Sequence, residues 1–352
     1  MKQISNSLPT IFDVAKLSGV SRRTVDRVIH EKGRVSQETI KKVRKAIKEL
    51  GYSPNPAASS LANKKEYRFA CLIPEYTKGD YWDEIKKGFI EGAESIKFGS
   101  VIVDIHSYDH TNVASFIEAS ENVLESRPSG VMMNVVFEEA VTDFAAKLSN
   151  QGIPYAFVSN MIDDDNHCLY YGTDLYKSGK LGAYLLTARS KVTEIALIRI
   201  IRDANRKADP NALRRHGFLD YIEEHIPNCK IYTVFINPDK PEDIQSTLES
   251  FFKEHPSIKH VGITNSRVWL IDKFLEANPD PERIVVGFDD LEKNLECLRK
   301  GHIEFLITRH ISQQSYKTIT EFAEYIIRGT LPTKRNNFVH IDILHQYNLD
   351  GY

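Results

Sequence analysis

The sequence predicts two structural classes in one chain: a small all-helical segment, followed by a large α/β region with two parallel sheets. Residues 1–53 carry apolar side chains at helical spacing, whereas the later residues alternate β-rich runs with helical stretches. The charge divides a little later in the chain. Residues 1–66 hold 14 basic and 6 acidic residues, a net charge of +8, and the remaining 32 basic and 42 acidic residues give −10.

The helical segment predicts three short helices. Thr10 is placed to cap the first helix, and Gly19-Val20-Ser21 ends it in a tight turn. Ser21 then caps a second helix that runs to about His30, and Ser36 caps a third that runs to about Leu50. The second helix carries Arg22, Arg23 and Arg27 on its outer face.

Two helices joined by a short turn containing glycine, with arginines on the second helix, are typical of a helix-turn-helix that enters the major groove of DNA. Arginine is suited to this task because it can make a bidentate contact with guanine. The net charge of this segment favours a nucleic-acid partner as well. The spacing alone leaves a solvated helical hairpin open as the alternative.

The longer pattern resembles the headpiece and hinge of the LacI/GalR family of bacterial transcriptional regulators. The residues that carry the resemblance are Val14-Ala15, Gly19-Val20-Ser21, Thr24-Val25, Arg27-Val28, Val35-Ser36, Gly51-Tyr52, Pro54-Asn55 and Leu61-Ala62. The resemblance implies a DNA-binding domain over residues 1–53 and a hinge helix with linker over 54–66. It also implies DNA contacts from Thr10, Ser21, Arg22, Arg23, Thr24, Arg27, Asn55 and Leu61, the last wedged into the minor groove.

The α/β region contains two series of predicted elements. The first has strands at 68–74, 100–107, 130–136 and 155–160, with helices at 83–96, 113–125 and 138–151. The second has strands at 169–172, 193–200, 230–235, 260–264 and 284–288, with helices at 175–187, 213–225, 241–255 and 268–277. Two such βαβ series predict two parallel sheets with a cleft at the carboxyl ends of their strands.

This region, residues 67–352, is similar to the effector domain of the same family, which has the two-lobed fold of periplasmic sugar-binding proteins. Lobe one is expected at 67–162 and 305–333, and lobe two at 163–304 and 334–352. The chain then crosses between lobes near 160–169, 300–309 and 331–337. The family also dimerises through this domain, so that a homodimer matches a near-palindromic operator.

The resemblance also implies where a small-molecule effector binds. Tyr81 and Trp82 match an aromatic pair over a sugar ring, although Trp82 alternatively packs on its own lobe. The polar residues matching effector contacts are Asn134, Ser159, Arg214, Asn265 and Asp289. His310 either contacts the effector or only fixes a crossing between lobes. Trp269 is expected in packing or at a dimer surface.

Enzyme motifs are missing from the sequence. It has no G-x-G-x-x-G after a strand, no H-E-x-x-H and no G-x-S-x-G, and the segment from Gly172 to Lys180 has the wrong spacing for a phosphate loop. We therefore expect no enzymatic activity, no cofactor and no metal. The four cysteines are far apart, which predicts reduced, buried thiols.

Membrane and export signals are missing too. No stretch approaches the roughly 18 consecutive apolar residues of a membrane span, and residues 1–7 lack the apolar core of a signal peptide. The expected protein is a cytoplasmic, homodimeric transcriptional regulator, a repressor controlled by a sugar or sugar derivative. Two alternatives remain: a regulator controlled by a partner protein, and an exported sugar receptor without a transcriptional role.

Overall fold

The computed structural model describes residues 11–29, 35–50, 52, 66–201 and 211–349. Its internal contacts divide the chain into two units, Met1–Lys65 and Glu66–Tyr352. Thr10, Asn55 and Leu61, three of the expected DNA contacts, lie outside the described residues.

The first unit contains three helices, α1 (Ile11–Ser18), α2 (Arg22–Ile29) and α3 (Gln37–Leu50). They enclose a small apolar core whose buried members are Val14, Val25, Val28, Val43 and Ala46. The turn between α1 and α2 uses Gly19 at a φ of +67°, a left-handed conformation that glycine adopts without steric cost. The three helices therefore form where the apolar spacing predicts them.

The second unit begins with a six-stranded sheet. Its strands, in chain order, are β1 (Glu66–Pro74), β2 (Ser100–Tyr108), β3 (Gly130–Met133), β4 (Tyr155–Ser159), β5 (Leu169–Gly172) and β11 (Asn336–Phe338). They pair in parallel in the order β11-β5-β4-β3-β1-β2. The helices packed on this sheet are α4 (Tyr81–Ser95), α5 (Val113–Ser126), α6 (Glu138–Asn150) and α12 (Ile311–Arg328).

A second six-stranded sheet follows, with the order β12-β10-β9-β8-β6-β7. Its strands are β6 (Glu194–Ile200), β7 (Lys230–Ile236), β8 (His260–Ile263), β9 (Ile284–Phe288), β10 (Phe305–Thr308) and β12 (Asp342–Leu344), and only β12 is antiparallel. Its helices are α7 (Leu175–Thr187), α8 (Ala212–His225), α9 (Pro241–Glu254), α10 (Asp272–Ala277) and α11 (Glu292–Arg299), with a 3₁₀ turn at Val268–Ile271. The predicted α/β class with two parallel sheets is confirmed.

The lobe boundaries expected from the sequence are wrong. Residues 169–172 form β5, which pairs with β4 in the first sheet, so the chain first crosses between lobes at 173–174. The other crossings lie at 309–310 and 339–341, because β10 belongs to the second sheet whereas α12 and β11 belong to the first. The predicted strand at 130–136 also ends earlier, at Met133.

The first crossing was misplaced because a polar, acidic loop precedes β5. In the structure this loop turns the chain back onto its own lobe. The Tyr155 hydroxyl donates a hydrogen bond to the Asp164 carboxylate, the Asp164 carbonyl meets His167 Nδ1 at 2.6 Å, and the Cys168 amide donates to the Tyr155 carbonyl at 2.8 Å. The polar residues therefore predicted a loop correctly, but the chain does not change lobes in this loop.

Both faces of each sheet are buried, as expected for parallel sheets that lie between helices. Four apolar clusters pack on the four sheet faces, and their members include Phe69, Phe157, Phe218, Phe288 and Phe322. All four cysteines are free thiols; Cys71 and Cys297 are buried, while Cys168 and Cys229 are only half-buried, contrary to the expectation. Among the described residues, no helix is both long and apolar enough to cross a membrane.

Candidate functional site: a helix-turn-helix surface and an inter-lobe cleft

The first candidate surface is the outer face of α2. Arg22, Arg23 and Arg27 are exposed, while Val25 and Val28 of the same helix are buried in the core. The start of the helix is fixed by Ser21, whose Oγ accepts a hydrogen bond from the Thr24 amide at 3.2 Å. The helix α2 thus presents three guanidinium groups to solvent.

Arg22 has an additional contact that orients it. Its guanidinium carbon lies 5.1 Å from the centre of the Phe12 ring, and this ring is 63% exposed. A cation held over an aromatic face is restrained without losing its hydrogen-bond donors. Arg22 is therefore held at the amino-terminal end of α2, the end that reaches base edges in helix-turn-helix proteins.

The second candidate site is a cleft between the two lobes of the second unit. A cavity of about 170 Å³ lies at the carboxyl ends of the strands, which is where parallel α/β sheets bind ligands. Five of the eight expected effector residues line it, namely Tyr81, Trp82, Asn134, Ser159 and Asn265. The cavity also has Arg309 in its wall, a residue that the sequence analysis did not single out.

Tyr81, Asn134 and Ser159 are neutral polar groups in the first-lobe wall of the cleft, and the Asp80 carboxylate in the same wall caps α4. The Tyr81 and Ser159 hydroxyls are 2.7 Å apart, and Ser159 ends β4 with a φ of +73°. The Tyr108 hydroxyl donates to Asn134 Oδ1 at 3.1 Å, which leaves Asn134 Nδ2 buried and without a partner. This wall therefore offers an unused amide donor. Burial raises the pKa of Tyr81, so its hydroxyl stays neutral.

Trp82 lies at the cleft and also packs on its own lobe, while its expected contact with a sugar ring stays a prediction. Its ring lines the cleft and packs edge-on against Tyr81, with the ring centres 4.8 Å apart. It is also partly buried against the apolar cluster of the first lobe. Asp80 caps α4 by accepting from the Trp82 and Asp83 amides at 3.1 and 3.2 Å, which fixes the aromatic pair at the start of this helix.

The second-lobe wall rests on a buried ion cluster. Asp289 is 0% exposed and accepts hydrogen bonds from Arg309 Nε at 2.7 Å and from the Ser266 hydroxyl at 2.5 Å. Arg214, 1% exposed, approaches the same carboxylate at 3.8 Å and donates to the Thr264 carbonyl at 3.0 Å. Two guanidinium groups thus share one carboxylate, and Arg309 also lies over the Tyr81 ring at 4.5 Å.

Burial and charge act in opposite directions on these groups. Burial raises the pKa of the Asp289 carboxyl, but the charges of Arg309 and Arg214 and the Ser266 hydrogen bond bring it below its ordinary value. Burial lowers the pKa of Arg214 to about 10, against the opposing attraction of Asp289. The Asp289 carboxylate and the Arg214 and Arg309 guanidinium groups are therefore all ionised at neutral pH.

Three expected effector contacts lie behind the cleft lining. Arg214 and Asp289 belong to the ion cluster, and His310 points elsewhere, with Nε2 2.8 Å from the Asp342 carboxylate. His310 caps α12 at a φ of +49° within the second crossing, which matches its expected role in fixing that crossing. The sequence placed Asp289 at the end of a predicted strand and Arg214 in a predicted helix. It did not show which of the expected residues face the cleft, because that depends on pairing with residues far along the chain.

Two residues that position the second-lobe wall were missed. Asn294, 0% exposed, donates from Nδ2 to the carbonyls of Ser266 and Asp289, both at 2.9 Å, and accepts from the Trp269 amide at 3.2 Å. Arg309 is the other. Neither Asn294 nor Arg309 has a local sequence signal, because each forms its hydrogen bonds with loops that follow other strands.

The cleft is suited to a ligand that both donates and accepts hydrogen bonds. Asn265 Oδ1 is buried and unpartnered on the second-lobe side, facing a site whose first-lobe side offers the unpartnered Asn134 Nδ2. An unpaired buried polar atom costs about 1–3 kcal/mol, so a ligand that satisfies both is stabilised. No group of three or more potential metal ligands occurs in the described part of the chain.

Comparisons with known proteins agree with this architecture. Residues 10–55 match the family model of bacterial regulatory proteins, lacI family, and residues 69–330 match a periplasmic binding protein domain. The crystal structure of a protein assigned as a LacI transcriptional regulator from Bacteroides fragilis is 31% identical, with a TM-score of 0.76. This similarity covers 82% of the present chain and 100% of that one.

Curated relatives are more distant. Catabolite control protein A of Staphylococcus aureus is 29% identical over 171 residues, 49% of this chain and 50% of the relative, so the chain spans about half the length of this relative. The sucrose operon repressor of Staphylococcus xylosus is 25% identical over 284 residues, 80% of this chain and 83% of the relative. These relatives are named as regulators and not as enzymes. The chain, with its helix-turn-helix segment ahead of a periplasmic binding protein domain, belongs to the LacI family of bacterial regulatory proteins.

Proposed function

We propose that the protein is a sequence-specific DNA-binding repressor whose affinity for its operator is controlled by a sugar bound between the two lobes. The observation that carries the proposal is the exposed arginine face of α2, fixed by a capped turn and a core of its own. As a DNA-binding repressor, the protein would act in the cytoplasm.

The operator contacts of this proposal come mainly from α2. Arg22 and Arg23 are the groups to contact base edges, and Arg27, Ser21 and Thr24 contact bases or phosphates. The net charge of +8 over residues 1–66 supports binding to the phosphate backbone. The resemblance adds Thr10, Asn55 and the minor-groove wedge Leu61, and it adds a homodimer that binds a near-palindromic operator.

The cleft supports a small-molecule effector rather than control by a partner protein. Its unpartnered amide groups are inside a cavity of about 170 Å³, where a protein surface does not reach. Aromatic rings beside polar groups are typical of sugar sites, and a relative is named for a sucrose operon. Ligand binding shifts the balance between closed and open lobes, and this shift changes operator affinity.

A selection experiment tests DNA recognition. The full-length protein is mixed with a random library of DNA duplexes at physiological salt, and the bound duplexes are sequenced. We expect one near-palindromic sequence to be enriched. Arg22→Ala and Arg23→Ala should relax the preference at particular base pairs, since one base contact contributes about 1–3 kcal/mol.

Lys48→Ala is the matched control, because Lys48 is an exposed cation on α3 rather than on α2. This variant should bind more weakly overall but select the same sequence. If the wild-type protein enriches no sequence, the proposed function is wrong. If Arg22→Ala and Arg23→Ala select the wild-type sequence unchanged, the assignment of α2 as the recognition helix is wrong.

A further inference from the structure

A second, larger chamber adjoins the cleft. It has a volume of about 820 Å³, against about 170 Å³ for the cavity between Asn134 and Asn265, here called the inner cavity. The two share Asp80, His110, Pro238, Arg267 and Leu291 in their walls, so they lie side by side. The outer chamber lies beyond the ends of the edge strands β2 and β7, whereas the inner cavity lies nearer the middle of both sheets.

The inner cavity has room for one ring. A protein cavity of about 150 Å³ holds a molecule of benzene, so about 170 Å³ takes a single six-membered ring and little more. Sites for larger small molecules occupy about 300–1,000 Å³, a range that the outer chamber falls into. A ligand with two linked rings would therefore extend from the inner cavity into the outer chamber.

The outer chamber has the side chains that a second sugar ring needs. Tyr76 lines it from the first lobe and Trp269 from the second, and both rings are half-buried. Asn237 adds an amide beside them. Four carboxylates and four cationic side chains line the same chamber, so its charges balance and favour a neutral, hydroxyl-rich ligand over a strongly charged one.

Trp269 is held in position by neighbours on two sides. Its backbone amide donates to Asn294 Oδ1 at 3.2 Å, and Lys293 Nζ lies 4.2 Å from the centre of its ring. The ring also packs against the apolar cluster of the second lobe. Packing was expected for Trp269, but its place in the chamber wall was not.

We propose that the effector is an oligosaccharide of at least two units, with one unit in the inner cavity and the next against Trp269 and Tyr76 in the outer chamber. This inference rests on the proposed function and narrows its ligand class. Arg309 and the two asparagines hold the first unit, and Trp269 is the residue that distinguishes a disaccharide from a monosaccharide.

Calorimetric titration of the full-length protein with matched sugar pairs tests this. Glucose, mannose, xylose and galactose are each compared with the disaccharide made of two such units. In the series that binds, we expect the disaccharide to bind about tenfold more tightly or better, a difference of about 1.4 kcal/mol. Trp269→Ala should remove most of this difference and leave the monosaccharide affinity unchanged, and Trp269→Phe should retain it.

Tyr76→Ala provides a second test from the opposite lobe, in case the loss of Trp269 disturbs the core that it touches. Tyr347→Ala is the control, since Tyr347 is 84% exposed and lines neither cavity. A monosaccharide that binds as tightly as its disaccharide would overturn the two-unit ligand while leaving the proposed function intact. Binding of no sugar of either length would contradict sugar control itself.

Discussion

The two walls of the cleft are built on different physical principles. The first-lobe wall, here called the neutral wall, presents the neutral groups Tyr81, Asn134 and Ser159, each held by hydrogen bonds, while its carboxylate, Asp80, is used in capping α4. The second-lobe wall rests on charged groups, Asp289 with Arg309 and Arg214, that are almost fully buried. The difference teaches that a neutral wall can expose unused hydrogen-bonding atoms to a ligand, whereas a buried charged wall must satisfy its own charges first.

The largest effect should follow from breaking the charged wall. Asp289→Asn leaves Arg309 and Arg214 buried without their carboxylate, and removing one partner of a buried ion pair costs about 3–5 kcal/mol. Urea unfolding of the full-length protein measures the loss. The control is Asp104→Asn, because Asp104 pairs with Arg68 at the surface, where such a pair contributes about 0.5 kcal/mol. If the two variants lost equal unfolding free energy, the buried ion cluster would be no more important for stability than the surface pair.

A smaller loss is expected from separating the two helices behind the charged wall. A methyl group at Gly179 of α7 would lie 1.9 Å from the Arg214 carbonyl oxygen of α8, so the helices must move apart. Overpacking of this kind costs about 1–3 kcal/mol, and we expect Gly179→Ala to lower the unfolding free energy by about 2 kcal/mol. Lys177→Ala, an exposed change on the same helix, should have little effect. An unchanged stability for Gly179→Ala would show that the helices adjust freely.

The charged wall should also make stability depend on pH in the acid range. The pKa of Asp289 is lower in the folded protein than its ordinary value of about 3.9, so its ionised form stabilises the fold above that pH. This stabilisation is lost as the pH falls from about 4 through the folded pKa, with a slope of at most about 1.4 kcal/mol per pH unit. Comparing unfolding of the wild type with Asp289→Asn from pH 5 to pH 2 isolates it. Parallel curves would argue against this role of Asp289.

The smallest effect on stability, about 1 kcal/mol, is expected in the neutral wall. Asn134→Ala removes the acceptor of the Tyr108 hydroxyl and the unused Nδ2 donor, so we expect sugar affinity to fall about tenfold. Asn112→Ala is the matched control. Asn112 caps α5 away from the cleft, and loss of a helix cap costs a similar amount of stability. Equal sugar affinity in the two variants would mean that Asn134 does not contact the ligand.

Much of the fold was predictable because its signals are local. Apolar spacing and the Ser21 and Ser36 caps located α2 and α3 to within one or two residues, and alternating βα segments indicated both sheets. The resemblance also indicated eight effector positions, and five of them, including Asn134 and Asn265, line the cleft. These features depend on a few consecutive residues, which a sequence displays directly.

The remaining features depend on contacts between residues far apart in the chain. The sequence by itself determined the fold class, the arginine face of α2 and the polar strand ends. Only the tertiary structure decided that β5 joins the first sheet, that Arg309 rather than Asp289 lines the cleft, and that Trp269 faces an outer chamber. The physical reason is that strand pairing and charge neutralisation join residues that are far apart in the chain. Asp289 and Arg309, for example, are 20 residues apart. Local spacing carries no information about such partners.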